Sequence, residues 1–317
     1  MIVEQSRAIV DEVGKALVGK RDVIEKALMA IYAGGHILLE DVPGTGKTTL
    51  ALALPRALDL EFKRVQFTPD TMPSDITGFS MYDRDAHGFR FTWGAVNCNL
   101  FLGDEINRTS AKTQSALLEV MEELSVTVDG VTHKVPRPFV CIATENPVGS
   151  AGTQPLPDSQ LDRFMVRLSI GYPSAEDQMG ILKAKRYANP LDSVQAKVNR
   201  DDLLEVQNFL GSVNIADSVL AYIVALCERT RELDLVELGI SPRGIIALTR
   251  MSRACALIRE RDFVTPEDVR EVFKATCAHR LVLKPQARIE SIDADTVLDQ
   301  VMNEVAAPSM GRAHGRA

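Results

Sequence analysis

The sequence predicts an α/β protein in two parts: a parallel sheet covered by helices on both faces, then a smaller all-helical domain. Three observations predict this. Short apolar or β-branched runs alternate with helical patterns through the first half, as a parallel sheet with helical crossovers requires. From Pro173 onward the runs stop and helical periodicity continues alone. The length, 317 residues, is too great for one minimal domain and suits two modest ones.

The strand runs lie at 36–40, 62–68, 99–104, 139–144 and 165–170, with helical stretches at 48–58 and 110–124. Pro55, inside the first of these helices, is expected to kink it or end it early. Two hairpins interrupt the pattern. One pairs 76–83 with 89–93 across a turn at 84–88; the other pairs 125–128 with 131–135 around Asp129-Gly130, a strong two-residue turn signal. Neither fits a parallel sheet, so both should project from it, as surface decoration or as elements that touch a substrate or a neighbouring subunit. The first domain is expected at 1–172 and the helical domain at 173–305. Ser174 to Asp177 and Thr265 to Asp268 read as capping boxes that open two of the later helices. The tail 306–317, rich in Gly, Ala and Arg, is expected to be disordered.

Composition narrows the function. The 45% hydrophobic and 25% charged content is that of an ordinary soluble globular chain. No apolar run approaches the roughly 18–20 residues of a membrane span, and the N-terminal residues read as an amphipathic helix rather than a signal peptide. These absences point to the cytoplasm. The net charge of −7 argues against non-specific nucleic-acid binding, which needs a basic surface. Cys98, Cys141, Cys227, Cys255 and Cys277 are scattered without a CxxC pair and read as buried reduced thiols. The histidines show no metal-ligand spacing. His36, opening the first strand, reads as structural; Trp93 reads as packing for the first hairpin, and Glu119, Glu122 and Glu123 as a solvated helix face.

The most informative segment is Ile37-Leu-Leu-Glu-Asp-Val-Pro-Gly-Thr-Gly-Lys-Thr-Thr49. A buried strand runs into a glycine loop and then a helix. Gly44 and Gly46 let successive backbone N–H groups converge, and the helix N-terminus favours an anion there. Lys47 can reach β- and γ-phosphates, and the Thr48 hydroxyl suits Mg²⁺. The nucleotide contacts are expected from Pro43, Gly44, Thr45, Gly46, Lys47, Thr48 and Thr49. The strict phosphate-loop pattern has glycine where Asp41 stands, so this is a variant. A second strand delivers Asp104 and Glu105 at its C-terminal end, the ligand-binding edge of an open parallel sheet. Asp104 is suited to hold Mg²⁺ through water, and Glu105 to orient or deprotonate an attacking water. A third strand ends in Ala143-Thr-Glu-Asn-Pro147, where Asn146 could hydrogen-bond that water or the γ-phosphate. Arg243, at a helix start after Ser241-Pro242, makes sense facing an anion. Arg163, just before the last strand, is placed to reach a neighbour's nucleotide as an arginine finger, with Arg167 as rival.

These residues together resemble the MoxR-type AAA+ ATPases over nearly the whole chain. The likeness rests on Val18-Gly-Lys20, the loop 35–48, Gly103-Asp-Glu-Ile-Asn-Arg108, Ala143-Thr-Glu-Asn-Pro147, the run 155–164, Ser241-Pro-Arg243 and His279-Arg280. It implies an αβα phosphate-loop core with hairpin inserts and a helical lid. It implies Walker A at Gly44 to Thr48, Walker B at Asp104 and Glu105, sensor 1 at Asn146, an arginine finger at Arg163 and sensor 2 at Arg243, with Val18 and Gly19 against the adenine. ATP and Mg²⁺ are the implied ligands. The implied assembly is a homo-oligomeric ring, usually a hexamer, acting as a chaperone on client proteins with a von Willebrand factor A domain partner. Glu145 stands where such chains commonly carry glutamine, and Gly103 where alanine is more usual. Two other functions are weighed beside a remodelling ATPase: a nucleotide-gated binding module with negligible hydrolysis, and a magnesium-chelatase-like motor subunit.

Overall fold

In the computed structural model, residues 2–85, 87–146, 154–185 and 189–308 are described. Pro147, His314 and the part of the tail from 309 onward lie outside the described residues. The chain divides into two compact units, Met1–Asn208 and Phe209–Ala317.

The first unit opens with helices α1 (Ile2–Gly14) and α2 (Arg21–Tyr32). Then come β1 (Ile37–Glu40), α3 (Lys47–Ala57), β2 (Phe62–Gln66), the single turn α4 (Pro73–Thr77), the hairpin β3 (Gly78–Asp83) and β4 (Gly88–Trp93), β5 (Leu100–Asp104) and α5 (Ala111–Glu123). A second hairpin, β6 (Ser125–Val128) and β7 (Val131–Lys134), precedes β8 (Val140–Glu145), α6 (Asp158–Leu161), β9 (Val166–Leu168) and α7 (Ala175–Lys185), and α8 (Arg200–Phe209) spans the division.

All five expected strands join one sheet in the order β2-β5-β8-β1-β9, every neighbouring pair parallel. The crossover from β1 runs out to the β2 edge, whereas that from β8 passes over β1 to β9. The C-terminal ends of β1 and β8 therefore flank a switch point, where an open parallel sheet forms its crevice. Alternation along each strand splits the core in two. Leu38, Phe101, Cys141 and Ala143 pack with Leu117, Leu118 and Met121 of α5 and with Phe164. Ile37, Leu39, Leu100, Leu102, Val140 and Ile142 are fully buried on the opposite face. Each such side chain contributes roughly 1.5–3 kcal/mol, so the edge they support is rigid.

Helix α3 continues to Ala57, through Pro55. The proline falls in the last turn, where it forfeits only the bond to the Ala51 carbonyl. The first hairpin starts later than expected: residues 73–77 form a helical turn, because Pro73 fits its first position and the Asp75 carboxylate accepts from Met72 N (2.9 Å). In the second hairpin Asp129 and Gly130 both adopt positive φ, 49° and 77°, as a two-residue turn demands. The hairpins touch: the Phe91 ring stacks on His133 at 3.8 Å, with Trp93 edge-on to both.

Although helical character begins at 173, the first unit extends to 208. Several bonds fasten the later stretch to it: Arg56 to the Leu191 carbonyl, Lys197 N to the Ala57 carbonyl, Gln195 N to Glu12 Oε1 (3.0 Å), Lys197 Nζ to Glu12 Oε2 (3.0 Å), and Gln207 Nε2 to the Ile31 carbonyl (2.8 Å). The Lys15 and Lys197 ammonium groups hold the Glu12 carboxyl down to about 2 against the cost of burying it.

The second unit contains α9 (Asp217–Glu232), β10 (Val236–Leu238), α10 (Pro242–Ile258), α11 (Pro266–Cys277), β11 (Val282–Leu283), α12 (Pro285–Ile289) and α13 (Ala294–Glu304). Its core includes Ile223, Leu226, Leu248, Met251, Val269, Phe273, Leu298 and Val301, all fully buried. Both capping boxes form: Asp177 N donates to Ser174 Oγ (3.1 Å), and Thr265 N donates to Asp268 Oδ2 (2.8 Å). The helices carry one addition that periodicity does not reveal, the short antiparallel ladder β10–β11.

Candidate active site

At the C-terminal edge of the sheet, a cavity of about 400 Å³ opens at the N-terminus of α3. It is lined by Pro43, Gly44, Gly46, Lys47, Thr48, Thr49, Arg64, Gln66, Asp104, Glu105, Thr144 and Asn146. Gly44 and Gly46 hold φ of 86° and 105°, which the turn into α3 requires, and a side chain at Gly46 would also meet Leu17 Cδ1 at 2.8 Å.

Lys47 is buried, and its ammonium donates to the Asp41 carbonyl, to the Glu145 carbonyl (2.9 Å) and to Asn146 Oδ1 (2.8 Å). Burial lowers its pKa, while Asp41, Asp104, Glu105 and Glu40 oppose that fall. One lysine thus joins the tips of β1 and β8. Asp104 is held on two sides: the Thr144 hydroxyl donates to Oδ1 (2.6 Å), and Arg64 pairs with Oδ2 (2.6 Å). Glu105 sits at φ 57°, an unusual conformation for a side chain with a Cβ, and its N–H donates to Thr144 Oγ1 (2.9 Å). Its carboxylate accepts from Asn146 Nδ2 (3.0 Å) and from Arg108 (2.8 Å). Lys47, Asn146 and Glu105 therefore form one chain of hydrogen bonds, and Thr144 links Glu105 to Asp104.

Asp41, at the position where the strict loop has glycine, turns its carboxylate away from the cavity and toward the end of β9. It accepts from Val42 N (2.8 Å), Ser169 Oγ (3.1 Å), Ile170 N (2.8 Å) and Gly171 N (2.6 Å). Burial would raise its pKa; these donors, the Gly171 amide foremost, more than reverse that and hold it below the usual value.

Of the residues singled out in the sequence, Pro43, Gly44, Gly46, Lys47, Thr48, Thr49, Asp104, Glu105 and Asn146 line one cavity. Thr45 is buried behind it, its hydroxyl on the Val42 carbonyl (3.2 Å). Val18 and Gly19 lie in the turn whose Leu17 abuts Gly46, beside the lining rather than in it. Arg163 pairs with Glu122 of α5 (3.3 Å), so Glu122 is more than a solvated acid, and Arg167 pairs with Glu40 (3.0 Å). Arg243 is exposed in the first turn of α10, in the second unit, where Ser241 caps the helix by accepting from Gly244 N (3.2 Å). His36 is structural as expected. It donates through Nε2 to the Met121 carbonyl (2.8 Å) and accepts at Nδ1 from Cys141 N (3.0 Å), and burial lowers its pKa to about 4. All five cysteines are buried thiols outside any disulfide.

Three lining residues were not singled out: Arg64, Gln66 and Thr144. Their only sequence signal is a polar residue at every second position near a strand's end, and using it requires knowing which strands are neighbours. The residues present fit a magnesium nucleotide. Glycines admit the backbone approach, a helix N-terminus and a lysine offer positive charge, and Thr48 and Asp104 line the same cavity.

Residues 36–166 match the family model of ATPases associated with various cellular activities (AAA), and residues 228–301 match an AAA lid domain. The uncharacterized protein YeaC of Bacillus subtilis is 44% identical over 94% of this chain and 93% of its own. The chaperone MoxR1 of Mycobacterium tuberculosis is 37% identical over 94% of this chain and 81% of its own. A crystal structure of a Cytophaga hutchinsonii protein superposes with a TM-score of 0.89 at 37% identity, covering 97% of this chain and 96% of the other.

Proposed function

The chain belongs to the MoxR family of AAA ATPases, and from that premise we propose that it binds ATP with Mg²⁺ and hydrolyses it to drive remodelling or maturation of partner proteins. The observation that carries this is one cavity at a helix N-terminus where Lys47, Asn146 and Glu105 are bonded in series and Thr144 ties Glu105 to Asp104. A site that only bound nucleotide would need the lysine and the glycines, but not a second acid held beside an asparagine.

In this reading the amides of Gly44 to Thr49 and the Lys47 ammonium hold the phosphates, and Thr48 and Asp104 hold magnesium. The bound nucleotide supplies the phosphoanhydride bond that water cleaves. To reach a phosphate, Lys47 releases Asn146 Oδ1, the one of its three acceptors on a side chain that can swing. Asn146 and Arg108 keep Glu105 at the cavity wall, where its carboxylate orients a water and takes its proton. Arg163 acts on a neighbouring subunit's nucleotide, exchanging its half-exposed pairing with Glu122 for it. Val18 and Gly19 lie toward the base, and Arg243 responds to the nucleotide from the lid.

Family membership supports the remaining parts: a nucleotide-binding domain followed by a helical lid, a homo-oligomeric ring, a von Willebrand factor A domain partner, protein clients and a cytoplasmic setting. No described helix is long and apolar enough to cross a membrane. The test is Glu105→Gln, assayed by steady-state phosphate release and by binding of a fluorescent ATP analogue. Binding is expected to persist while turnover falls by about 10² or more. Unchanged turnover would remove Glu105 from the chemistry.

A further inference from the structure

The segment 169–177, which leaves the end of β9 and enters α7, is attached at three separate points to residues next to the cavity lining. Asp41, at the root of the phosphate loop, accepts from Ser169, Ile170 and Gly171. Lys20, closing the turn that lies against Gly46, donates through Nζ to the Tyr172 carbonyl (2.9 Å). Gly19, in the same turn at φ 74°, is packed against the Asp177 carboxylate so closely that a methyl group there would collide with it. Asp177 is itself fixed by Ser174, whose hydroxyl donates to it (2.6 Å).

None of these attachments is needed to make a phosphate loop. A glycine at position 41 would suffice for that, and it would leave the Ile170 and Gly171 amides without their acceptor. The Asp41 carboxylate is buried, and three of its four donors are 128 to 130 residues further along the chain. Its own backbone carbonyl accepts from Lys47, the residue placed to meet phosphate. The chain of contact is therefore continuous: Lys47 to the Asp41 backbone, the Asp41 side chain to 169–171, and onward to the start of α7.

We propose that Asp41 is a positioning residue that makes the phosphate loop and the 169–177 segment one mechanical unit, so that nucleotide held by the loop sets the path by which the chain leaves the sheet. This rests on the nucleotide-binding reading given above. Lys20 and Gly19 give the same segment a second attachment, from the base side of the cavity. When Lys47 shifts toward a phosphate, the strain passes through Asp41 and not through the apolar core.

The experiment is hydrogen exchange on the full chain, with and without Mg²⁺-ADP, in the wild type and in Asp41→Asn, with nucleotide affinity and phosphate release measured on both. Asparagine keeps the shape but loses the charge, and its single oxygen cannot serve both the Val42 amide on Oδ1 and the three donors that share Oδ2. In the wild type, nucleotide should slow exchange of the Ile170 and Gly171 amides by about tenfold. In Asp41→Asn that response should vanish and turnover should fall about tenfold, while ADP affinity stays within about threefold. A structural staple alone would lower stability without separating affinity from turnover. Asp41→Asn with both the exchange response and turnover intact overturns the proposal. So does a wild type that binds ADP yet shows no response at 170–171, a result that stands even if the variant fails to fold. A wild type that binds no nucleotide at all overturns the parent reading instead.

Discussion

Replacing Thr144 with valine perturbs a side chain that bonds both acidic residues. The hydroxyl is used twice, donating to Asp104 Oδ1 (2.6 Å) and accepting from Glu105 N–H (2.9 Å), and the residue is only 1% exposed. Valine fills the same volume and can do neither. A hydrogen bond to a charged group contributes about 1.5–3 kcal/mol, and an amide left without its acceptor costs about 1–3 kcal/mol. Arg64 still holds the other oxygen of Asp104, which pulls the sum toward the lower end, so the expected loss of stability is about 3 kcal/mol. The effect on chemistry should exceed what stability alone explains. Glu105 occupies a positive φ that its neighbours must maintain, and a displacement on the order of 1 Å at such a carboxylate lowers turnover by about 10². Thr144→Ser is the control: it keeps both hydrogen bonds and loses one methyl, about 1 kcal/mol. Urea unfolding followed by circular dichroism gives the stabilities, and phosphate release under saturating ATP gives the rates. A valine variant that unfolds at the wild-type urea concentration with wild-type turnover refutes the reasoning, as does a serine variant damaged as badly as the valine one.

Two further perturbations follow from the packing and the charges. A Cβ added at Gly103 would lie 2.9 Å from Phe67 and 3.4 Å from Phe101, both fully buried. Gly103→Ala should therefore destabilise by about 1–3 kcal/mol, and combining it with Phe67→Leu should cost less than the two single changes together. Strictly additive melting data would show that the ring yields without cost. Glu145 is pushed up from 4.5 to about 7, first by burial and then by Glu40 alongside it, with Arg167 and Lys47 pulling the other way. The folded state therefore holds this proton more tightly than the unfolded chain. The associated stability is fully present below about 4.5 and is lost as the pH rises to about 7. At about 1.4 kcal/mol per pH unit that span is on the order of 3 kcal/mol. Glu145→Gln cannot titrate, so its thermal stability should gain on the wild type between pH 5 and 8. Parallel melting curves across that range would place Glu145 at an ordinary value.

What the sequence makes legible here, and what it hides, divides along one physical line. Strands β1, β5 and β8 are recognisable because both their faces are buried and their apolar runs are nearly unbroken. Lys47 and the pair Asp104 and Glu105 are recognisable because loop, helix start and strand end are neighbours in the chain, so short motifs capture them. Ladder β10–β11 is not, since three residues paired with two leave no periodicity to detect. Arg64, Gln66 and Thr144 were hidden for another reason. Each reaches the cavity only because β2 and β8 lie on either side of β5, and strand order is not written in any local pattern. Asp41 joins both cases. Its position in the loop makes it conspicuous as a departure from glycine, yet what its carboxylate does depends on β9 being adjacent to β1. The conspicuous residues are those the chemistry needs in any protein with this loop, whereas those supplied by a neighbouring strand adapt the site to this particular sheet. A substitution at 64, 144 or 41 should accordingly be judged by the strand beside it, because its partners sit about 40 to 130 residues away in the chain and one strand spacing, about 4.8 Å, away in the sheet.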